Sequence, residues 1–319
     1  MPTLLQRREL LKGLLATGLV GASAETKAVS EPAADAAPFS VHIFSKHLHF
    51  LDYTELAAVA SDLGFEGVDL TVRPDGHVEP ARVRDDLPNV VAALKKKNLS
   101  ASMITTAVTK ADDAVGRAVL ETASKQGVRY YRTGWLAYPN HQPIPTILKQ
   151  YRQQLGDLAR LNQQLNLAGA YQNHAGTNFG SATWDLATVL QDINNPGLGC
   201  QYDIRHATVE GGTSWSTGLR MIHPHIKFIA IKDVIWEKNG GKWKAVSVPL
   251  GQGMVDFPAY FALLKQLNVR VPISLHLEYP LGGADQGRRD LTIPRDKVYQ
   301  AMQTDLQTLR GMLKKAGLV

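Results

Sequence analysis

Two hydrophobic rhythms alternate along this chain. Short, almost unbroken apolar runs of strand length are separated by stretches in which apolar residues recur every three or four positions. Phe39 to Phe44 is the first run, and Leu56, Val59, Ala60 and Leu63 mark a helix over Tyr53 to Leu63, stopped by Gly64. Gly67 to Val72 predicts the second strand, and the helix after Asp86-Leu87-Pro88 carries Val90, Val91 and Leu94 towards Lys97. Ala101 to Thr105 is the third strand; Val115 to Lys125 is the next helix, and Val128 to Thr133 the fourth strand. A long helix over Ile147 to Asn166 feeds the fifth strand, Leu167 to Gln172. Trp184 to Gln191 precedes the sixth at Leu198 to Asp203; Ile226 to Lys232 is the seventh. Phe257 to Leu267 leads to the eighth, Ile273 to Glu278. Between them, Glu237-Lys238-Asn239-Gly240-Gly241-Lys242 reads as a hairpin tip between Trp236 and Trp243, inserted into the seventh loop.

Continuous rather than alternating apolar strands are those of a parallel sheet covered on both faces. About eight strand–helix units with short connections and no long linker make a single (β/α)8 TIM barrel, from residue 39 to residue 319. An open doubly wound sheet fits less well, because no glycine-rich phosphate turn follows the first strand.

In such folds ligands sit beyond the carboxyl ends of the strands. Polar residues close the runs at that place: Asp69, Gln172, Asp203, Lys232 and Glu278. Side chains two apart share a face, which joins Gln172 to His174, His276 to Glu278 with Ser274, and Asp69 to Arg73 through Thr71. Arg132 ends the fourth strand, His206 follows the sixth, and His47 follows the first at the mouth. Taken singly, Asp203 reads as a helix cap and His276 as a core histidine; carboxylates and imidazoles from several strand ends together read as one site, with donors suited to a divalent ion.

Composition adds limits. Of 319 residues, 44% are hydrophobic and 20% charged, the balance of a globular chain. The formal charge is +6, of which Arg7, Arg8 and Lys12 against Glu9 contribute two near the N-terminus. The basic run Lys95-Lys96-Lys97 ends a helix, where cations favour the dipole and solvent, so no nucleic-acid partner is expected. Cys200 is the only cysteine; it excludes an internal disulfide and lies in a buried strand. Residues 1–24 carry paired arginines, a short apolar stretch and Ala22-Ser23-Ala24, the layout of a twin-arginine signal peptide, with Gln6 where Ser or Thr is usual. The Ala-, Glu- and Pro-rich residues 25–38 read as a disordered spacer. The expectation is an exported, periplasmic protein with no stable membrane anchor after cleavage and with scope for homo-oligomers.

Several stretches together resemble the xylose-isomerase-like barrels of sugar isomerases, epimerases and inosose dehydratases. They are Gly64-Phe65-Glu66-Gly67-Val68-Asp69, Tyr171-Gln172-Asn173-His174, Gln201-Tyr202-Asp203 with His206, Ile231-Lys232-Asp233, Pro249-Leu250-Gly251-Gln252-Gly253, and Glu278. The resemblance implies one divalent ion, most often manganese, with zinc or magnesium as substitutes, held by Glu, Asp, His and Glu on the last four strands. This chain departs twice: Gln172 stands in place of the first Glu and Ala230 in place of the His. One resolution is a metal set of Gln172, Asp203, His276 and Glu278. Catalysis would fall to Glu278, His174 and Lys232, and a small carbohydrate would be bound by Asp69, Arg73, Arg132, His206 and His47.

An amide cannot act as a general base, so Gln172 argues against a symmetric pair of glutamates. Three readings follow: metal-assisted isomerisation or epimerisation next to a sugar carbonyl; a lyase or hydratase acting on 3-keto-glycosides by the same enediolate chemistry; and a non-catalytic carbohydrate-binding barrel.

Overall fold

The computed structural model describes residues 39–319, so the signal peptide and spacer expected before Phe39 lie outside the described residues. Among the described residues no helix is long and apolar enough to cross a membrane. The elements run β1 (Val41–Phe44), α1 (Tyr53–Asp62), β2 (Gly67–Val72), α2 (Val83–Lys96), β3 (Ser100–Thr106), α3 (Ala114–Lys125), β4 (Tyr130–Arg132), α4 (Ile144–Gln164) and β5 (Ala168–Gln172). They continue through α5 (Trp184–Ile193), β6 (Leu198–Asp203), α6 (Ile204–Gly211), α7 (Trp215–Ile222), β7 (Ile226–Ile231), β8 (Asp233–Asn239), β9 (Lys242–Val248), α8 (Phe257–Gln266), β10 (Ile273–Leu275) and α9 (Arg295–Ala316).

Eight of the strands close into a parallel barrel in the order β1-β10-β7-β6-β5-β4-β3-β2. Closure comes from β1, which pairs with β2 on one edge and places Val41 to Ile43 beside Ile273 to Leu275 of β10 on the other. The strand residues are buried almost throughout, because helices cover the outside while side chains fill the interior. The remaining pair, β8 and β9, is the antiparallel hairpin foreseen between Trp236 and Trp243. Its Gly240 and Gly241 both take positive φ, 58° and 82°, as a tight hairpin turn requires.

Helix starts follow local chemistry. Asp52 and Glu55 form a reciprocal capping box on α1; Asp113 caps α3, Asp203 caps α6 and Asp256 caps α8. Three boundaries differ from expectation. Helix α2 begins at Val83, ahead of Pro88, and tolerates that proline at the loss of one backbone bond. Strand β7 stops at Ile231 and β10 at Leu275, so Lys232, His276 and Glu278 lie just past the paired segments. Helices α6, α7 and α9 add to the expected elements; Val298, Met302, Leu306, Leu309 and Leu313 form the buried stripe of α9.

The loop after the hairpin is organised by one buried carboxylate. Asp233 accepts backbone N–H bonds from Gly251 (3.0 Å), Gly253 (2.8 Å) and Val234 (2.8 Å). A Cβ at Gly253 would run into that carboxylate, which is why glycine is required there. The Ile231-Lys232-Asp233 and Gly251-Gln252-Gly253 stretches are therefore one structural unit, and it fixes the backbone that carries Lys232.

Candidate active site

At the carboxyl ends of the barrel strands lies a cavity of about 310 Å³, lined by residues of six strand ends including Arg73, Arg132, Gln172, Lys232, His276 and Glu278. Its centre is an ion-pair cluster. The Lys232 ammonium lies 2.7 Å from Glu278 Oε2 and 3.2 Å from Asp203 Oδ2. Lys46, just past β1, reaches Glu278 Oε1 at 3.0 Å. Gln172 donates its amide N–H to Asp203 Oδ2 at 2.8 Å, and the other Asp203 oxygen accepts from the His206 backbone N–H at 3.1 Å. Asp203 is thus both a helix cap and a member of the site. Burial pushes the Glu278 carboxyl up, but the charges of Lys232 and Lys46 outweigh it and hold the group well below the usual carboxylate range.

Hydrogen-bond partners assign the imidazoles, since a carbonyl only accepts and an arginine or backbone N–H only donates. His174 Nδ1 faces the Ala175 carbonyl at 2.9 Å, so Nδ1 carries the proton and Nε2 keeps its lone pair. The ring lines the cavity, and burial followed by the Lys232 charge lowers its pKa. His276 Nε2 lies 3.0 Å from Ser274 Oγ, whose own proton goes to Asp69 Oδ2 at 2.6 Å; the His276 proton is therefore on Nε2. That leaves Nδ1, buried and without a hydrogen-bond partner, 3.8 Å from Glu278 Oε1. Burial lowers the His276 pKa despite Glu278. His206 accepts from Arg205 at Nδ1 (3.0 Å) and holds Nε2 3.6 Å from Asp203, with its ring centroid 3.9 Å from that of His174. It packs behind His174.

Three expected binding residues do not line the cavity: His206, which packs behind His174, His47 and Asp69. His47 is fully buried: Nε2 accepts from the Leu277 backbone N–H at 2.9 Å and Nδ1 donates to the Ala284 carbonyl at 3.1 Å. It clamps the backbone beneath Glu278. Asp69, also fully buried, accepts from Thr105 Oγ1 (2.9 Å) and Ser274 Oγ, one layer below the cavity floor. Phe44 and Lys46 were missed by sequence reasoning; Phe44 stacks on His276 with centroids 4.2 Å apart. The signal available was their place at the end of the first strand. Of the aromatics near strand ends, Trp135 lines the cavity, whereas Trp215 packs against Tyr260 and Tyr279 bonds Asp305.

The quartet expected to hold a metal ion is not assembled. Among the described residues no three His, Cys, Asp or Glu side chains stand close enough to hold one. The reason lies in the donors: the space between Asp203 and Glu278 is taken by an ammonium, Glu278 already serves two lysines, and Gln172 turns an N–H towards Asp203. The positions that lost a Glu and a His flank this point, for Ala230 pairs directly with Asp203 across β6 and β7. These residues do not fit a divalent ion as arranged.

Comparison with known proteins places the chain in context. The D-allulose 3-epimerase from Methylomonas sp. is 16% identical, with a TM-score of 0.64 over 87% of this chain and 99% of that one. A protein from Bacillus anthracis described as the probable 3-DHS dehydratase of petrobactin synthesis is 14% identical, with a TM-score of 0.61 over 83% and 97% of the two chains. A xylose isomerase-like barrel from Mycobacterium smegmatis, solved in complex with magnesium, is 15% identical, with a TM-score of 0.60 over 86% and 100%. At these identities the likeness concerns the fold. No curated protein matches the sequence. The family model described as "Xylose isomerase-like TIM barrel" matches residues 57–311, and the chain belongs to that family.

Proposed function

We propose that the chain is an enzyme that moves a proton at the carbon next to the carbonyl of a small carbohydrate, as an isomerase or epimerase. The observation that carries this reading is the pair of neutral imidazoles, His174 and His276, each with a free ring nitrogen, on either side of the Lys232 ammonium in one cavity. Strands β5 and β10 are separated by β6 and β7, so the two rings approach a substrate from different sides. A carbonyl oxygen placed against Lys232 and Lys46 gains donors where negative charge develops as the enediolate forms. The proton leaves carbon for an imidazole; at His276 Nδ1 it arrives beside the Glu278 carboxylate, which stabilises the imidazolium. Return of that proton from the same ring to the neighbouring carbon gives isomerisation; epimerisation requires the other ring to have first taken up a proton from solvent, which it delivers to the opposite face while the first ring keeps the one it removed. Glu278, ion-paired to two lysines, acts through charge rather than as the base. The epimerase among the structural neighbours is consistent with this chemistry.

Gln172 favours a second reading, elimination, in which one base removes the proton and a β-oxygen departs. A neighbour described as a probable dehydratase also has this fold. The deciding measurement is NMR of candidate ketoses, aldoses and 3-keto-glycosides incubated with the protein in D2O. Deuterium at the carbon beside the carbonyl with an epimer or isomer is the expected result, and an unsaturated product selects elimination. Absence of exchange in every substrate that binds sinks the proton-transfer reading and leaves a binding barrel.

A further inference from the structure

The two lysines of the cavity spend their charge on Asp203 and Glu278, but its two arginines do not. Neither Arg73 nor Arg132 forms an ion pair with a carboxylate among the described residues. Arg132 is 3% exposed, its Nη1 is buried with no hydrogen-bond partner, and Nη2 meets only the Thr106 carbonyl, at a long 3.5 Å. Each guanidinium lies against an aromatic ring, Arg132 at 4.2 Å from the Trp135 centroid and Arg73 at 5.7 Å from that of Phe44. Asp69, the carboxylate beneath them, is committed to Thr105 and Ser274. Four cations therefore line the cavity against one lining carboxylate, Glu278, with Asp203 and Asp69 behind the lining.

A buried charge without a partner is costly, and the cost is relieved by a ligand of opposite sign. We infer that the substrate carries a carboxylate, making it a sugar acid rather than a neutral sugar, and that Arg132 with Arg73 holds this group while the lysine side receives the reacting carbonyl. The inference rests on reading this cavity as the substrate site. A neutral hydroxyl satisfies Nη1 but brings no charge to guanidiniums that feel Asp69 and Glu278 only through space. A planar carboxylate matches the fork of a guanidinium with two parallel bonds. Burial and the like charge of Arg73 push the Arg132 pKa down to about 9, against the opposing pull of Asp69 and Glu278. About 310 Å³ is small for a pocket and suits a molecule the size of a six-carbon acid.

The test is calorimetric titration at low salt of galacturonate and glucuronate against galactose, glucose and glucose 6-phosphate. The acids are expected to bind at least about tenfold tighter than their neutral counterparts, the equivalent of one charge-assisted contact. Arg132→Met is expected to erase the difference between acid and neutral sugar, and Arg132→Lys to restore part of it; Arg73→Met provides an independent variant if Arg132→Met does not fold. Equal affinity for acid and neutral sugar overturns the inference, as does no binding of either acid at 10 mM. Tighter binding of the phosphate than of the acids overturns the assignment to a carboxylate. Because these are binding measurements, they fail separately from the deuterium experiment: an acid that binds without exchange retires the catalytic reading alone, and a neutral sugar that exchanges while acids are ignored retires this one alone.

Discussion

Lys232→Met offers the sharpest test of the cluster at the cavity floor. The side chain is 3% exposed and its ammonium bridges a fully buried Asp203 and a partly exposed Glu278. Methionine keeps the volume and removes the charge. Breaking a buried pair by deleting one partner costs about 3–5 kcal/mol, because the other partner is left uncompensated. Here the lower end applies. Asp203 keeps the Gln172 amide and the His206 backbone N–H, and Glu278 keeps Lys46. At a urea slope of about 3 kcal/mol/M, a loss of about 3 kcal/mol lowers the unfolding midpoint by about 1 M at pH 7. The pH dependence gives the argument its sign. In the parent, Glu278 is held well below the usual range, so it contributes stability that is present above the unfolded carboxyl pKa and is lost as pH falls through the folded value. Without Lys232 much of that hold disappears, Glu278 takes up a proton sooner, and the two proteins converge on acidification. The assay is urea unfolding of both at pH 7 and pH 4.5. A midpoint shift under about 0.3 M, or one no smaller at pH 4.5 than at pH 7, would refute the reasoning.

Two further outcomes follow from the same geometry. Restoring the two departures, as Gln172→Glu with Ala230→His, places a carboxylate and an imidazole beside Asp203; elemental mass spectrometry after dialysis against manganese should find well under one ion per chain in the parent and more in the double variant, and a full ion in the parent would show that Lys232 yields to metal. Burial and the Lys232 charge lower the His174 pKa, so its neutral form persists to lower pH: the acid limb of kcat/KM should fall below pH 6.5, and a limb above pH 7 would count against His174 as the base.

Much of the site was legible because a parallel barrel puts strand ends at one mouth whatever their separation in sequence. Asp203, Lys232 and Glu278 lie far apart along the chain, and their positions at the ends of apolar runs were enough to group them. The hairpin was readable from Gly240-Gly241 between two strand-like runs. Helix α9 is marked in the sequence too, by Pro294, its apolar stripe and Gly317. His47 illustrates the limit. Its place after the first strand suggested the mouth, yet whether a side chain there faces substrate or backbone depends on Leu277 and Ala284, which are distant in sequence.

The sequence by itself determined the family, the closed parallel barrel and the strand ends that carry chemistry, since these depend on period, length and turn residues that are local. Only the tertiary structure decided what those residues do. Alternation along a strand says which side chains point inward, but the distances that separate an ion pair from a metal site are set between strands. The placement of the Lys232 ammonium between two carboxylates, the proton positions on His174 and His276, and the unpaired charge of Arg132 all arise from partners supplied by other units of the barrel.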